Sequence, residues 1–346
     1  MTQLVELQNA MPKFADAGIR LYAVSYDELG ALEDFTRHHS ITYDLLADKG
    51  SAVIREFGIL NHHVTEEQVP YHGIPFPGTY LVAEDGTITA ASFHESLAQR
   101  ESAEGLIDAA LGEILLGPEE PATGLADESG IGITLTYHGG GGVIRGGAIR
   151  RLIVEMNLPE GLHVYDAPVP DGMVATTVTL VGPSGLRSLP VEKPLTHPLE
   201  LPGIGSLNVW SGLVRFVMPV WATDELASLV RADNPDEVTI EVSIAYQACD
   251  DRACLLPRTE TVQVTVPVGS YVGPALAGGG MPGAETTTMD SKKWFGAMLN
   301  RGLDATPDKE AAVAYLAQLR DSYEAGPLGE GSAGPEGTDE PRREAG

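Results

Sequence analysis

Residues 1–116 of this 346-residue chain predict an α/β domain, and residues 128–268 predict an all-β sandwich. Residues 269–346 predict a linker, short helices and a disordered tail. Three observations carry this division. Up to residue 116, apolar residues recur at helical spacing between short β-type runs, whereas from residue 131 they alternate with period two. Residues 117–127 hold two prolines, glycines and acids without any period, and read as the linker between the two regimes. After about residue 270, residues 275–288 read as a glycine-rich linker, and residues 326–346 are glycine, proline and glutamate with almost no apolar content, the composition of a disordered tail.

In the first region, residues 2–17 place Leu4, Leu7, Met11 and Phe14 on one helical face, with Gly18 as the stop. Residues 19–24 read as a buried strand. A second helix opens at Asp27 or Glu28, turns Leu29, Leu32 and Phe35 inward, and fades at His38-His39. A strand over 41–46 follows. Asp48 then caps a helix carrying Val53, Ile54 and Phe57, closed by Gly58. Residues 79–82 and 87–90 pair across Glu84-Asp85-Gly86 as a hairpin. A last helix over 103–116 directs Leu106, Ala110, Leu111 and Leu115 inward. Alternating helices and strands of this kind stack as α/β layers.

Leu21-Tyr22-Ala23-Val24-Ser25, Asp44-Leu45-Leu46-Ala47-Asp48, Phe57-Gly58-Ile59 and Gly73-Ile74-Pro75-Phe76-Pro77-Gly78-Thr79-Tyr80-Leu81-Val82 with Asp85-Gly86 resemble the peroxiredoxin and thiol-specific-antioxidant (AhpC/TSA, redoxin) group. The likeness covers residues 1–116 and implies a thioredoxin-like fold. It also implies that Pro77 stands where such folds often keep a cis-proline beside the redox site. The nucleophilic cysteine of that group lies at the end of a strand immediately before the helix with which this chain begins. The expectation is therefore a thioredoxin-like domain lacking its first strand and its thiol, through either an incomplete N-terminus or lost chemistry. The intact helix at residues 2–7 favours an incomplete N-terminus.

Beyond residue 128 strands read at 131–137, 148–156, 174–181, 213–221, 238–246 and 259–266, with a brief helix over 223–232. In the fifth strand Val238, Ile240, Val242, Ile244 and Tyr246 face one way. Gly139 to Gly142 form a flexible turn. They are not a phosphate loop, because no Lys-Ser/Thr follows. Thr306-Pro307-Asp308 opens a helix with Ala312, Leu316, Leu319 and Tyr323 on its apolar stripe.

The only two cysteines, Cys249 and Cys254, stand five positions apart between two of these strands. By spacing alone they are a redox pair, a small staple or two reduced thiols. As a staple, closing a loop of about six residues is worth only ~2 kcal/mol. A zinc half-site is disfavoured, since four ligands are usual and no second cysteine pair exists. Leu158-Pro159-Glu160-Gly161-Leu162-His163-Val164-Tyr165, Trp210-Ser211-Gly212 and Tyr246-Gln247-Ala248-Cys249 through Cys254-Leu255-Leu256-Pro257 resemble the amino-terminal domain of the thiol:disulfide interchange protein DsbD. This implies an immunoglobulin-like sandwich over residues 128–268 whose two cysteines cycle between dithiol and disulfide. In the resembled family Tyr165 and Trp210 match regions that line or cap the redox site. Asp250 and Asp251 raise the thiol pKa values and Arg252 lowers them.

A net charge of −27 argues against nucleic acid or anionic membranes as partners. No apolar run is long enough to span a membrane, and residues 1–8 lack the pattern of a signal peptide, so the chain as it stands reads as cytoplasmic, and as extracytoplasmic if its N-terminus is incomplete. Nine histidines show no metal spacing, and no cofactor is expected. The expected function is an oxidoreductase exchanging disulfides with thioredoxin-like thiol-redox partner proteins through Cys249 and Cys254. The alternative is a non-enzymatic binding protein with an inactive thioredoxin-like domain and a structural disulfide.

Overall fold

The computed structural model describes residues 2–69, 71–94, 99–201, 205–227, 235–250, 252–269, 271–273, 284–286 and 291–324. The helix expected over 2–17 is divided into α1 (Thr2–Asn9) and α2 (Met11–Asp16). Pro12 causes the break, because it has no N–H to donate and its ring crowds the carbonyl four residues back, so it starts a new helix instead. β1 (Tyr22–Ser25), α3 (Leu29–His39) and β2 (Asp44–Ala47) make a parallel crossover, with Tyr22 beside Asp44 and Ser25 beside Ala47. Leu32 and Phe35 of α3 are buried, whereas Leu29, at its first turn, is exposed. The carboxylate of Asp48 accepts the Val53 and Ile54 N–H groups at 3.1 and 2.8 Å and so caps α4 (Ala52–Glu56) as expected. β3 (Gly78–Val82) and β4 (Ile88–Phe93) form the expected hairpin. Leu7, Phe14, Phe35, Ile41, Tyr43, Leu106 and Ile107 close one core beneath these elements, the thioredoxin-like α/β layer.

α5 (Ala103–Leu111) is shorter than the predicted helix over 103–116 and buries a different face. Ser102 caps it by accepting the Gly105 N–H at 3.0 Å, and Gly112, at φ +73°, ends it. Ala103 to Asp108 are buried and Ala110, Leu111 and Leu115 are exposed. Its first two turns are wedged between the α/β core and the sandwich, which the apolar period alone does not reveal.

The later strands form a two-layer sandwich. β5 (Ala122–Ala126), β6 (Gly132–His138) and β7 (Arg150–Asn157) lead to β8 (His163–Tyr165), β9 (Thr177–Gly182) and β10 (Leu186–Ser188). β11 (His197–Leu201), β12 (Gly205–Ser211), β13 (Leu213–Ala222), β14 (Glu237–Tyr246), β15 (Ala248–Cys249) and β16 (Arg258–Pro267) complete it. One sheet runs β10-β13-β7-β6-β5, faced by β16-β14-β9 and by β11-β12-β8-β15. Leu135, Val154 and Phe216 meet Ile240, Val242, Val264 and Val164 between the layers. The alternation in β14 is as read from the sequence, with Ile240, Val242, Ile244 and Tyr246 fully inside. Residues 122–126, expected within the linker, instead form the edge strand β5 paired with β6. The prolines that suggested a linker stop at Pro121, and Leu125 packs against the core.

Residues 223–227, where a helix over 223–232 was expected, make a turn in which Leu226 and Ala227 donate to the Thr223 carbonyl. Residues 228–234 lie outside the described residues. So does the linker expected over 275–288, except β18 (Ala284–Thr286), which pairs with β17 (Tyr271–Gly273). The tail at 326–346 lies wholly outside. α6 (Ser291–Ala305) and α7 (Lys309–Glu324) follow, the second with Ala312 buried as expected. α6, which the apolar pattern does not locate, docks on the α/β layer. Trp294 donates to Asp34 at 2.9 Å and lies where a Cβ on Gly30 would be 2.7 Å from its ring. Among the described residues no helix is long and apolar enough to cross a membrane.

Buried charges join the α/β layer to the sandwich. His138 of β6 is held between Asp108 of α5 and Glu120 at 2.7 and 2.6 Å. Arg150 of β7 and Arg145 reach Glu6 of α1 at 2.8 and 2.9 Å. Glu104 of α5 accepts from Gly140 N–H at 2.8 Å and from Lys13 at 3.1 Å. The glycine run therefore marks a close approach, with Gly140 at φ +64° and a Cβ there only 2.3 Å from the Arg150 guanidinium. Gly140→Ala is expected to destabilise by more than Gly141→Ala, which has a similar φ of +63° but open space around it. The φ term alone costs about 1–3 kcal/mol. Urea midpoints of the two variants measure the difference, and equal midpoints would show that the arginine yields freely.

Candidate redox site

β14 leaves its sheet after Tyr246 and the chain returns as β16 at Arg258, directly opposite Tyr246. Residues 247–257 in between build the site. Ala248 and Cys249 join a different sheet by pairing with Val164 and His163 of β8. Asp250 then turns the chain. Its carboxylate accepts the Arg252 and Ala253 N–H groups, both at 2.7 Å, and its own N–H donates to the Ala253 carbonyl at 2.9 Å. These backbone hydrogen bonds hold the Asp250 carboxyl below the usual carboxylate range. Leu255 N–H closes the return onto the Ala248 carbonyl at 2.8 Å. The side chain of Gln247 braces the loop from within, donating to the Leu255 carbonyl at 3.2 Å and accepting Val174 N–H at 3.1 Å.

Cys249 and Cys254 face each other across this turn and are joined by a disulfide, their Cα atoms 4.0 Å apart. The two sulfurs have unequal surroundings. Cys249 is 1% exposed, inside a small cluster with Tyr165 and Val209, over which Val169 and Met173 of the loop after β8 close. Cys254 is exposed, and Leu256 beside it is 84% exposed. Period-two alternation sorts the neighbouring residues into two faces. Val164, Trp210 and Ala248 face the sandwich core, whereas Tyr165, Val209 and Cys249 face the opposite side.

The structure therefore brings Tyr165 to the disulfide and sets Trp210 on the other face. Trp210 donates its indole N–H to the Pro194 carbonyl at 3.0 Å and packs edge-on against Phe216. Pro77 belongs to the α/β layer, its carbonyl accepting His94 N–H at 2.8 Å. The cis peptide bonds among the described residues precede Pro168 and Pro183, so the Phe76–Pro77 bond, whose isomer the sequence leaves open, is trans. Asp251 lies outside the described residues.

Sequence reasoning passed over two residues here. His163 is buried opposite Cys249 and its Nε2 lies 3.0 Å from the Tyr165 hydroxyl, whose titration burial pushes upward. The available signal was its i, i+2 spacing to Tyr165 on a strand. Gln247, a buried amide beside a cysteine, was the other.

Residues 1–91 match the AhpC/TSA family. Solved structures similar to this chain include two amino-terminal domains. The amino-terminal domain of DsbD from Neisseria meningitidis, in the reduced form, is 13% identical with a TM-score of 0.24, over 44% of this chain and 91% of that one. The N-terminal periplasmic domain of ScsB from Proteus mirabilis is 12% identical with a TM-score of 0.30, over 54% of this chain and 60% of that one. No curated protein matches the chain.

Proposed function

We propose that this protein is a thiol-disulfide oxidoreductase that exchanges electrons with thioredoxin-like dithiol proteins through Cys249 and Cys254. The observation that carries the reading is the asymmetry of the pair, one sulfur exposed on a tight turn and the other 1% exposed behind it. A partner thiolate attacks the exposed Cys254 sulfur, the disulfide breaks, and Cys249 leaves as a thiolate that takes a proton. The partner's second thiol then attacks its own sulfur in the mixed disulfide and releases Cys254. Two electrons pass from the partner dithiol, now a disulfide, to the Cys249/Cys254 pair, and the reverse sequence returns them. The AhpC/TSA-like residues 1–91 contain no cysteine. In this reading they contribute a redoxin-type domain fastened to the His138 and Arg150 end of the sandwich, and not a second thiol.

Trapping tests the order of attack. Cys249→Ser, with its exposed thiol at 254, is expected to accumulate a mixed disulfide with an oxidised thioredoxin-type partner at least about tenfold faster than Cys254→Ser, in keeping with access-limited exchange. Equal rates, or a wild-type pair that stays oxidised against a dithiol poised near about −270 mV, would remove the proposal. The competing structural reading makes the disulfide a staple. Reduction with the fold intact and a loss of only ~2 kcal/mol supports the shuttle, whereas unfolding on reduction supports the staple.

A further inference from the structure

We propose that His163 is the residue that governs the proton on the Cys249 sulfur when the disulfide opens and closes. This rests on the exchange function proposed above and adds a role for a side chain outside the cysteine pair. The ladder between β8 and β15 places His163 directly opposite Cys249. In an antiparallel pair, directly opposed residues project to the same face with Cβ atoms about 4.5–5.5 Å apart. Their ladder neighbours Val164 and Ala248 turn to the sandwich core, so His163 and Cys249 share the other face with Tyr165. Both are buried, and the Tyr165 hydroxyl at 3.0 Å from Nε2 holds the ring in place.

That placement answers a chemical need. A thiolate released at a buried position is costly unless a cation or a hydrogen-bond donor meets it. The titratable and charged groups on the elements packed around this position are few. Tyr165 lies on the same strand, and β12 offers Ser211, which pairs with His163 and carries no charge. Asp250, bound to the backbone of its own turn, also lies within charge reach of His163 and favours its imidazolium, Arg252 is exposed, and Asp166 in the loop after β8 is paired with Lys193 at 2.6 Å. An imidazolium at His163 can pass its proton to the departing Cys249 sulfur, leaving a thiol and a neutral imidazole that is reprotonated from solvent. In the reverse direction the imidazole takes that proton back, and the resulting Cys249 thiolate attacks the mixed disulfide at Cys254. Tyr165 accepts from Nε2–H in both states, so the proton exchanged with the Cys249 sulfur is the one on Nδ1.

The test uses the full chain carrying Cys254→Ser, so that Cys249 is its only thiol, and follows thiolate absorbance near 240 nm against pH. His163→Gln is expected to raise the Cys249 titration midpoint by about one unit, the size of an ordinary charge-pair effect. Tyr165→Phe should raise it by less. In the otherwise unaltered chain, His163→Gln should slow exchange with a dithiol partner about tenfold near pH 7 and change its pH profile, while alkylation of Cys254 in the Cys249→Ser background stays as it was. Far-UV circular dichroism confirms that the variants are folded, and His163→Asn serves if the glutamine variant is not. An unchanged midpoint in a folded variant overturns the role of His163, even if exchange proceeds. A raised midpoint in a chain that exchanges with no partner keeps the role and removes the function instead.

Discussion

Replacing His138 by leucine is expected to cost roughly 3–5 kcal/mol, the penalty for leaving buried charges without their partner. The side chain is fully buried, with one ring nitrogen on Asp108 of α5 and the other on Glu120. Burial alone would push the imidazole down, but the hydrogen bonds and charges of Asp108 and Glu120 outweigh it and raise its pKa from 6.5 to about 9. The ring is thus an imidazolium at neutral pH, and its loss leaves two carboxylates facing one another in a dry interface. The sign of the pH effect follows from linkage. The folded state binds this proton more tightly than the unfolded state, so the stabilisation is complete below about pH 6.5 and is lost as pH rises through about 9. Its size is on the order of 3 kcal/mol. Urea melts from pH 6 to 10 should show that decline in the wild type and a much flatter profile in His138→Leu. A decline of equal size in both would assign the alkaline sensitivity to other groups. On the acid side Glu104 acts with the opposite sign. Burial pushes its carboxyl up, but the Gly140 N–H and Lys13 win and hold it below 4.5, so its contribution is lost on acidification through that range.

The elements legible in the sequence are those whose signal is local. β14 shows Ile240, Val242, Ile244 and Tyr246 on one face, and the structure buries those four. Asp48 announced the start of α4, and the hairpin β3–β4 was visible in its turn. Pro12 was equally local, but an apolar stripe running through it concealed the break between α1 and α2. Of the strands that went unread, β5, β8, β10, β11, β12, β17 and β18, most are short, and β8, β10 and β12 pair with elements far off in sequence, as when Ser211 meets His163. The cysteine pair itself was visible from spacing. That one sulfur is buried and the other exposed was not, because it depends on β15 leaving the sheet of β14 for that of β8. His138 had no signal at all. One of nine histidines, it meets partners 30 and 18 residues away only because α5 and residue 120 fold against β6.

Arg150→Met should separate the cost of breaking a buried pair from the value of having one. Arg150 is 1% exposed, and its guanidinium spends its donors on Glu6 at 2.8 Å and on the Val143 and Ile149 carbonyls at 3.3 Å each. Methionine fills much of the volume but supplies none of these donors, so a loss of about 3–5 kcal/mol is expected. The lower end of that range is the better estimate, because Arg145 still reaches Glu6 at 2.9 Å and keeps the carboxylate partly compensated. Adding Glu6→Gln removes the stranded charge, and the double variant should recover most of what the single one lost. A double variant as unstable as the sum of the two single changes would mean that the carbonyls and packing, not the ion pair, set the cost. The same variants bear on function. Glu6 lies on α1 of the AhpC/TSA-like region and Arg150 on β7 of the sandwich, so the pair fastens one to the other. Arg150→Met leaves the Cys249–Cys254 hairpin untouched. If disulfide exchange with a thioredoxin-type partner then slows in a chain still folded at low urea, the redoxin-like surface takes part in docking the partner. Exchange at the wild-type rate would confine partner recognition to the sandwich.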